Sequence, residues 1–333
     1  MQVNVRVPAK INLALAIGPL RPDGFHDLAT LFHAVSLYDD ITVSDDDADA
    51  PTPPASAARQ VTVRVDGPYG TGVPADESNL AVRAVYALAD AAGVRPRASL
   101  RIRKNIPVAA GLAGGSADAA GALLACAELW GLDWPVERLA EVAASLGSDV
   151  PFSLIGGTAL GTGRGERLEP QSTGASLHWV LAVSEARLST PAVYRRLDAL
   201  RAQEGPQAAA LWSQTAGAHG GAAPGSAGPV VDPRIVSAVL HGDASAVAPL
   251  LTNDMQAAAV DLQPTLQDTL RAGHEAGALG GIVSGSGPTC VFLAADESHA
   301  RAVATTLAAT GHCLAAEPVK GPVRPVLGEH HTS

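Results

Sequence analysis

The stretch PVAAGLAGGSADAAGALLA, from Pro107 to Ala125, starts as a glycine-rich turn and continues as a helix of small residues. That order gathers free backbone N–H groups and the positive end of a helix dipole at one point, which suits a phosphate chain. Two common phosphate loops are excluded. No Gly-Lys-Ser/Thr follows the glycines, as a P-loop requires. Gly111, Gly114 and Gly115 lack the G-x-G-x-x-G spacing, and the preceding RIRKNIP does not read as a buried parallel strand, so a nicotinamide-dependent oxidoreductase is disfavoured. A lone glycine loop is equally well explained as a tight turn feeding a closely packed helix. Ser116, at the helix start, suits phosphate, magnesium or an ordinary N-cap.

Working outward, ASLRIRK reads as the strand entering the loop, and Asn79 to Ala92 as a helix with Leu80, Val82, Val85 and Leu88 on one face. Pro135 to Leu146 reads as another helix, with proline in its first turn and Gly147 at its end. Asp149 follows, before Val150-Pro151, and the proline biases Val150 toward an extended conformation. Asp149 is thus expected between a helix stop and a rigid step, beside a helix C-terminus that disfavours its charge and makes it a better proton acceptor. A solvated turn aspartate is the plainer alternative.

Toward the N-terminus, Val3, Val5 and Val7 alternate as in a strand that Pro8 interrupts. Lys10 and Asn12 then share one strand face, opposite Ile11, Leu13 and Leu15. This favours a cleft-facing amine that assists a carboxylate and a transferring phosphoryl group, against the alternative of an amphipathic edge strand. Asp23-Gly24 marks a turn. Toward the C-terminus, GGTALGTGRGE (156–166) is a glycine-rich strand and turn. LHWVLAVS is a strand, and Thr190-Pro191 opens a helix. GGIVSGSGPTCVFLAA is strand, glycine turn, strand; the turn is either a plain hairpin or a backbone that closes on a ligand. Segments 45–60 and 203–231 read as surface loops, and the residues after Lys320 as a mobile tail.

The chain has 333 residues, 47% hydrophobic and 17% charged, with aromatics at only 4%, so the core rests on Ala, Val and Leu. This is a globular composition with room for one large or two medium domains. A net charge of −10 offers no broad basic surface for nucleic acid or acidic membranes. Cys126, Cys290 and Cys313 lack metal spacing and read as reduced, packed residues of a cytosolic protein. No signal-like or membrane-spanning run is present in the sequence, and the expected location is cytoplasmic.

PAKINLAL, PVAAGLAGGSADAA and VSGSGPTCVFL, in this order, resemble the three motifs of the GHMP kinases. RPDGFHDLATLFHAVSLYDDI, LGSDVPFSLIGGTALGTGRGE, STPAVY and NDM add to the likeness, which spans nearly the whole chain outside the two loops. The resemblance implies an α/β (α+β) fold of two domains, 1–165 with the ATP-binding loop and 166–325, before a tail at 326–333. The active site would lie in the cleft between them.

It also implies ATP as co-substrate, with Mg²⁺ arriving on the nucleotide near Ser116 and no protein-only metal site. Asp149 would be the general base and Lys10 its electrostatic partner. The loop of Pro107, Val108, Ala109, Ala110, Gly111, Leu112, Ala113, Gly114, Gly115, Ser116 and Ala117 would wrap the triphosphate, with Asn79 and Lys104 lining the nucleotide side. Ala113 stands where glycine is common. The likeness is strongest to members whose acceptor is a cytidine diphosphate derivative of methylerythritol, phosphorylated at its 2-hydroxyl. His26 would then hydrogen-bond the cytosine and Tyr194 stack on it, with Thr190 near. Asn12, Gly285 and Ser286 would contact the acceptor. Phe25 replaces the usual tyrosine and keeps only the stacking face. A monomer or weak homodimer is expected. A homoserine or mevalonate kinase, whose acceptors have no base to stack, and a non-catalytic nucleotide-binding regulator are the rivals.

Overall fold

The computed structural model describes residues 1–45, 60–172, 174–203 and 228–328. Most of the two expected surface loops, and the end of the expected tail, fall outside these residues.

The chain opens with two 19-residue strands, β1 (Gln2–Leu20) and β2 (His26–Ser44), paired antiparallel along almost their whole length. Their turn contains Gly24 at a φ of 82°, as the Asp-Gly pair suggests. Pro8 does not interrupt β1. The strand runs through it with a register shift between Pro8 and Ala9, and a second shift lies between Asn12 and Ala14. Such bulges re-aim side chains without ending a strand.

The first sheet runs β12 (Val326–Leu327)-β1-β2-β4-β3, with β3 (Gln60–Asp66) and β4 (Arg97–Arg103) beyond β2. β5 (Thr158–Thr162) pairs with another stretch of β2, and β6 (Arg167–Gln171) pairs with β5. In keeping with the reading of RIRKNIP, β4 is not a buried parallel strand: it lies parallel to β3 but antiparallel to β2. It buries Ala98, Leu100 and Ile102 and exposes Arg97, Arg101 and Arg103, the alternation of a strand covered on one face.

Helix α2 (Gly114–Leu129) is buried around most of its circumference. Its small residues therefore form no amphipathic stripe. Gly121 lets it settle on the sheet: a Cβ there would lie 2.8 Å from Ile41 and 3.0 Å from Val7. Helices α1 (Leu80–Ala92), α3 (Val136–Leu146) and α4 (Val150–Ile155) pack around it.

The second sheet, β11-β7-β10-β9, is antiparallel throughout. It comprises β7 (Leu177–Val183), β9 (Gly280–Val283), β10 (Cys290–Ala294) and β11 (Ala315–Gly321). Leu177, Trp179 and Leu181 of β7 join the core of the first sheet. Val180 and Ala182 face the other way, into a core shared with the helices Gln256–Leu262, Thr265–Glu275 and Glu297–Ala309. Behind Trp179, fully buried His33 exchanges a 2.9 Å hydrogen bond between Nδ1 and Thr158 Oγ1.

Because β6 belongs to the first sheet, the chain changes sheets between Gln171 and Leu177. Two later strands return to the free edge of β1: β8 (Thr252–Asn253) beside Ala14 and Leu15, and β12 (Val326–Leu327) beside Val5 and Arg6. The expected tail is corrected accordingly. Val323 N–H donates to Ala34 O at 3.2 Å and Gly328 N–H to Asn4 O at 2.7 Å, so the chain stays fastened through residue 328.

Candidate active site

A cavity of about 1020 Å³ opens between the two sheets. Lys10, Asn12, Phe25, His26, Asp149, Thr190, Tyr194, Gly285 and Ser286 line it, as do Ala109, Ala110, Gly111, Ala113, Gly114, Gly115 and Ser116 of the loop. The remaining loop residues do not: Leu112 and Ala117 are core residues, Pro107 is buried, and Val108 points elsewhere on the surface.

The loop reaches α2 through two non-glycine residues in the left-handed region, Ala109 at φ 54° and Ala113 at φ 58°. This conformation gives glycine its advantage at position 113. Ala113 is the N-cap of α2 and supplies no side-chain cap. Ser116 is therefore the third helical residue rather than an N-cap. The first N–H groups of α2 face the cavity without a capping side chain, which fits a phosphate group. Gly111 is demanded by contact: with φ at 75°, its Cβ would lie 2.2 Å from Ser284 O.

Lys10 is 6% exposed. Its Nζ donates to Asn12 Oδ1 at 2.8 Å and Gly111 O at 3.2 Å, and lies 3.6 Å from Asp149 Oδ2. The alternation of β1 therefore places Lys10 and Asn12 together as expected. Asn12 Nδ2 in turn donates to Thr30 Oγ1, which donates to Ala14 O. Gly285, at φ 54°, brings the SGSGPT turn so close that a Cβ would sit 3.2 Å from Asn12 Oδ1 and 3.4 Å from Lys10 Nζ. Asn253 of the NDM segment holds that turn, donating to both Val283 O and Gly285 O at 2.8 Å. Thr190 Oγ1 and Ser286 Oγ, 2.9 Å apart, tie it to helix α5, described over residues 190–203.

The backbone around Asp149 differs from expectation. Val150 is not extended; it starts α4, with Pro151 in the first turn, where a proline's missing N–H costs nothing. Asp149 is the N-cap residue of α4, and a helix start favours a carboxylate's charge. Its side chain makes no cap hydrogen bond and is 33% exposed toward the cavity.

Two expected nucleotide-side residues do not line the cavity. Asn79 caps α1: Oδ1 accepts from Ala81 N–H and Nδ2 donates to Pro74 O, which occupies both ends of the amide. Lys104 lies beneath the loop, paired with Asp39 and Asp118 and 1% exposed. A Cβ on Gly114 would meet its Nζ at 3.1 Å, so Lys104 underpins the helix start from inside. Asp39 Oδ1 also accepts from Asn105 N–H and Ile106 N–H, fixing the entry to the loop.

At the other end, His26 and Tyr194 stack on each other, centroids 4.9 Å apart and planes at 20°. One face of Tyr194 is thus taken by His26, and the ring also packs against the second core. Burial, then the charges of Asp149 and Asp198, push the Tyr194 phenol up to about 12, so it stays a donor. Asp198 and Arg164 are cavity residues that the motifs did not indicate. Asp198 stands 2.9 Å from His26 Nε2, and Arg164 lies over the Phe25 ring at 4.9 Å. Asp198 was within reach of helical spacing, four residues after Tyr194 in a helix opened by Thr190-Pro191.

The sequence pattern of the GHMP kinases N terminal domain matches residues 79–157, and that of the GHMP kinases C terminal domain residues 235–313. A 4-diphosphocytidyl-2-C-methyl-D-erythritol kinase from Streptomyces avermitilis is 48% identical over 322 residues, covering 97% of this chain and 98% of that protein. One from Streptomyces coelicolor is 50% identical over 316 residues, 94% of each. The crystal structure of a 4-(cytidine 5'-diphospho)-2C-methyl-D-erythritol kinase superposes with a TM-score of 0.69 at 30% identity, covering 98% of this chain and 100% of that one. L. major mevalonate kinase, at 18% identity, shares the fold with a TM-score of 0.70 over 96% of this chain and 95% of its own.

Proposed function

The chain belongs to the GHMP kinase family, and we propose that it transfers the γ-phosphoryl group of ATP to the 2-hydroxyl of 4-diphosphocytidyl-2-C-methyl-D-erythritol, in the non-mevalonate route to isoprenoid precursors. The observation that carries this reading is one cavity with an uncapped helix start, the Lys10–Asp149 pair and an aromatic pocket at His26 and Tyr194.

Phosphoryl transfer depends on positioning and charge stabilisation. The N–H groups at the start of α2 receive the phosphates of ATP. Asp149 accepts the proton of the acceptor hydroxyl as its oxygen bonds to phosphorus. Lys10 offsets negative charge on the transferring group, held in place by Asn12 and Gly111. Mg²⁺ bound with the nucleotide would neutralise charge between the β- and γ-phosphates. The nucleotide would bring the ion, with the Ser116 hydroxyl nearby. Phe25 and His26, the latter held against Tyr194, accept the cytosine.

Two domains, 1–165 and 166–325, are part of this reading, and the change of sheet between Gln171 and Leu177 supports a division in this region. A cytoplasmic location, consistent with three free cysteines, and a monomeric or weakly dimeric state are further parts of it.

The test is ADP release with Mg²⁺-ATP and the cytidyl acceptor, homoserine or mevalonate. Turnover with the cytidyl acceptor alone is expected. Turnover with another acceptor overturns the substrate, and turnover with none favours a nucleotide-binding regulator.

A further inference from the structure

One helix holds His26 on two sides. Tyr194 of α5 stacks on its ring, and Asp198, one turn further along α5, meets Nε2 at 2.9 Å. His26 itself is 7% exposed and lines the cavity. We propose that Asp198 is a positioning residue that sets the tautomer of His26, and so makes the site read the 4-amino group of cytosine. This rests on the cytidyl-acceptor reading above.

A carboxylate has no proton to donate, so the nitrogen facing Asp198 carries the hydrogen and Nε2–H donates to Oδ1. In the neutral ring Nδ1 is then a bare lone pair. Among the described residues Nδ1 has no hydrogen-bond partner. Asp198 has no other ion-pair partner among them either, so it does not belong to a surface charge network. Tyr194 fixes the plane of the imidazole and Asp198 fixes its rotation within that plane. Together they present an acceptor of defined direction.

An acceptor at Nδ1 is satisfied by the 4-amino group of cytosine. Uracil in the same pose presents the O4 carbonyl, and two lone pairs face each other. A site built around one hydrogen bond discriminates strongly when the competitor leaves a buried group unpaired. Stacking on Phe25 is indifferent to this exchange, because both pyrimidines offer similar faces. Base choice is thereby assigned to the Asp198–His26 pair, and base affinity to the Phe25 ring.

The test compares wild type, Asp198→Asn and Asp198→Glu at about pH 8, above the ordinary histidine range near 6.5. Calorimetry measures binding of CDP and of UDP, and kcat/KM is taken for the cytidyl acceptor and its uridyl analogue. Wild type is expected to prefer the cytidine partner. The amide of Asp198→Asn can donate to Nε2 and leave the proton on Nδ1. That variant is expected to narrow the CDP-to-UDP preference by about tenfold or more, weakening CDP and strengthening UDP. Asp198→Glu keeps a carboxylate and is expected to keep the preference. ATP binding should match wild type in both.

An unchanged preference in Asp198→Asn, or equal losses for CDP and UDP, overturns the proposal while leaving the kinase reading standing. Wild-type protein that neither binds CDP nor turns over the cytidyl acceptor overturns both.

Discussion

Lys10 Nζ and Asp149 Oδ2 lie 3.6 Å apart, although one belongs to the first strand and the other to the N-cap of α4. Asp149→Asn removes the proton acceptor and leaves the shape of the site, so turnover should fall by about a thousandfold or more while the Kd for ATP moves less than about threefold. Lys10→Ala should lower kcat by about a hundredfold. If only the KM for ATP rises in Lys10→Ala, Lys10 is a nucleotide binder and not a partner of the reacting groups.

Gly111 separates two glycine turns that touch. Gly111→Ala would force a Cβ to 2.2 Å from Ser284 O at a φ of 75°, and should cost about 2 kcal/mol or more, along with most activity. Gly115 has nothing within 4 Å of its Cβ position. Gly115→Ala should fold normally, and a raised KM for ATP would then report crowding at the phosphates alone. Denaturant titration separates the two cases; equal stability losses would refute the packing argument.

Lys104 sits between two buried carboxyl groups, those of Asp39 and Asp118. Burial pushes the Asp118 carboxyl well above its usual range, and the charge of Asp39 adds to this against the pull of Lys104. Asp118 Oδ1 also lacks a partner. Asp118→Asn should therefore hold or raise the melting temperature. Lys104→Met strands both carboxylates and should cost about 3–5 kcal/mol. Similar melting temperatures for the two variants would refute this account of the cluster.

Burial lowers the His33 imidazole from 6.5 to about 4, opposed only by the Gly321 backbone. The unfolded chain therefore binds the proton that the folded one refuses between these values. Stability should be full above about pH 6.5 and decline as pH falls toward 4, by about 3 kcal/mol in all. His33→Gln should flatten this slope. Urea midpoints measured across the range check it, and an identical slope in the variant would assign the acid sensitivity elsewhere.

The order of strands and helices was legible because hydrophobic alternation, Asp-Gly, Thr-Pro and the glycine clusters are local features. Lys10 beside Asn12 followed from strand alternation alone. The roles of Asn79 and Lys104 were not legible, because a cap and a buried countercharge depend on where Pro74, Asp39 and Asp118 arrive in space. Val150 defeated its local bias: Pro151 disfavours helix at the preceding residue, but a first helical turn tolerates proline, and burial of Val150 and Phe152 in the core prevailed. Pro8 was misread as a break because a bulge lets a strand pass through proline, and periodicity cannot reveal a register shift. Asp198 escaped notice because its importance comes from meeting His26, 172 residues away.

The edge of β1 that carries β8 and β12 has a consequence for biosynthesis. β1 leaves the ribosome well before the strands that cover its edge beside Val5, Arg6, Ala14 and Leu15, which follow hundreds of residues later. Until they arrive, backbone donors and acceptors on the strand bearing Lys10 stand open to any extended chain nearby, as on any uncovered sheet edge. A nascent protein halted before residue 252 has this seam wholly unsealed, so stalled or truncated chains should be chaperone clients and aggregation seeds.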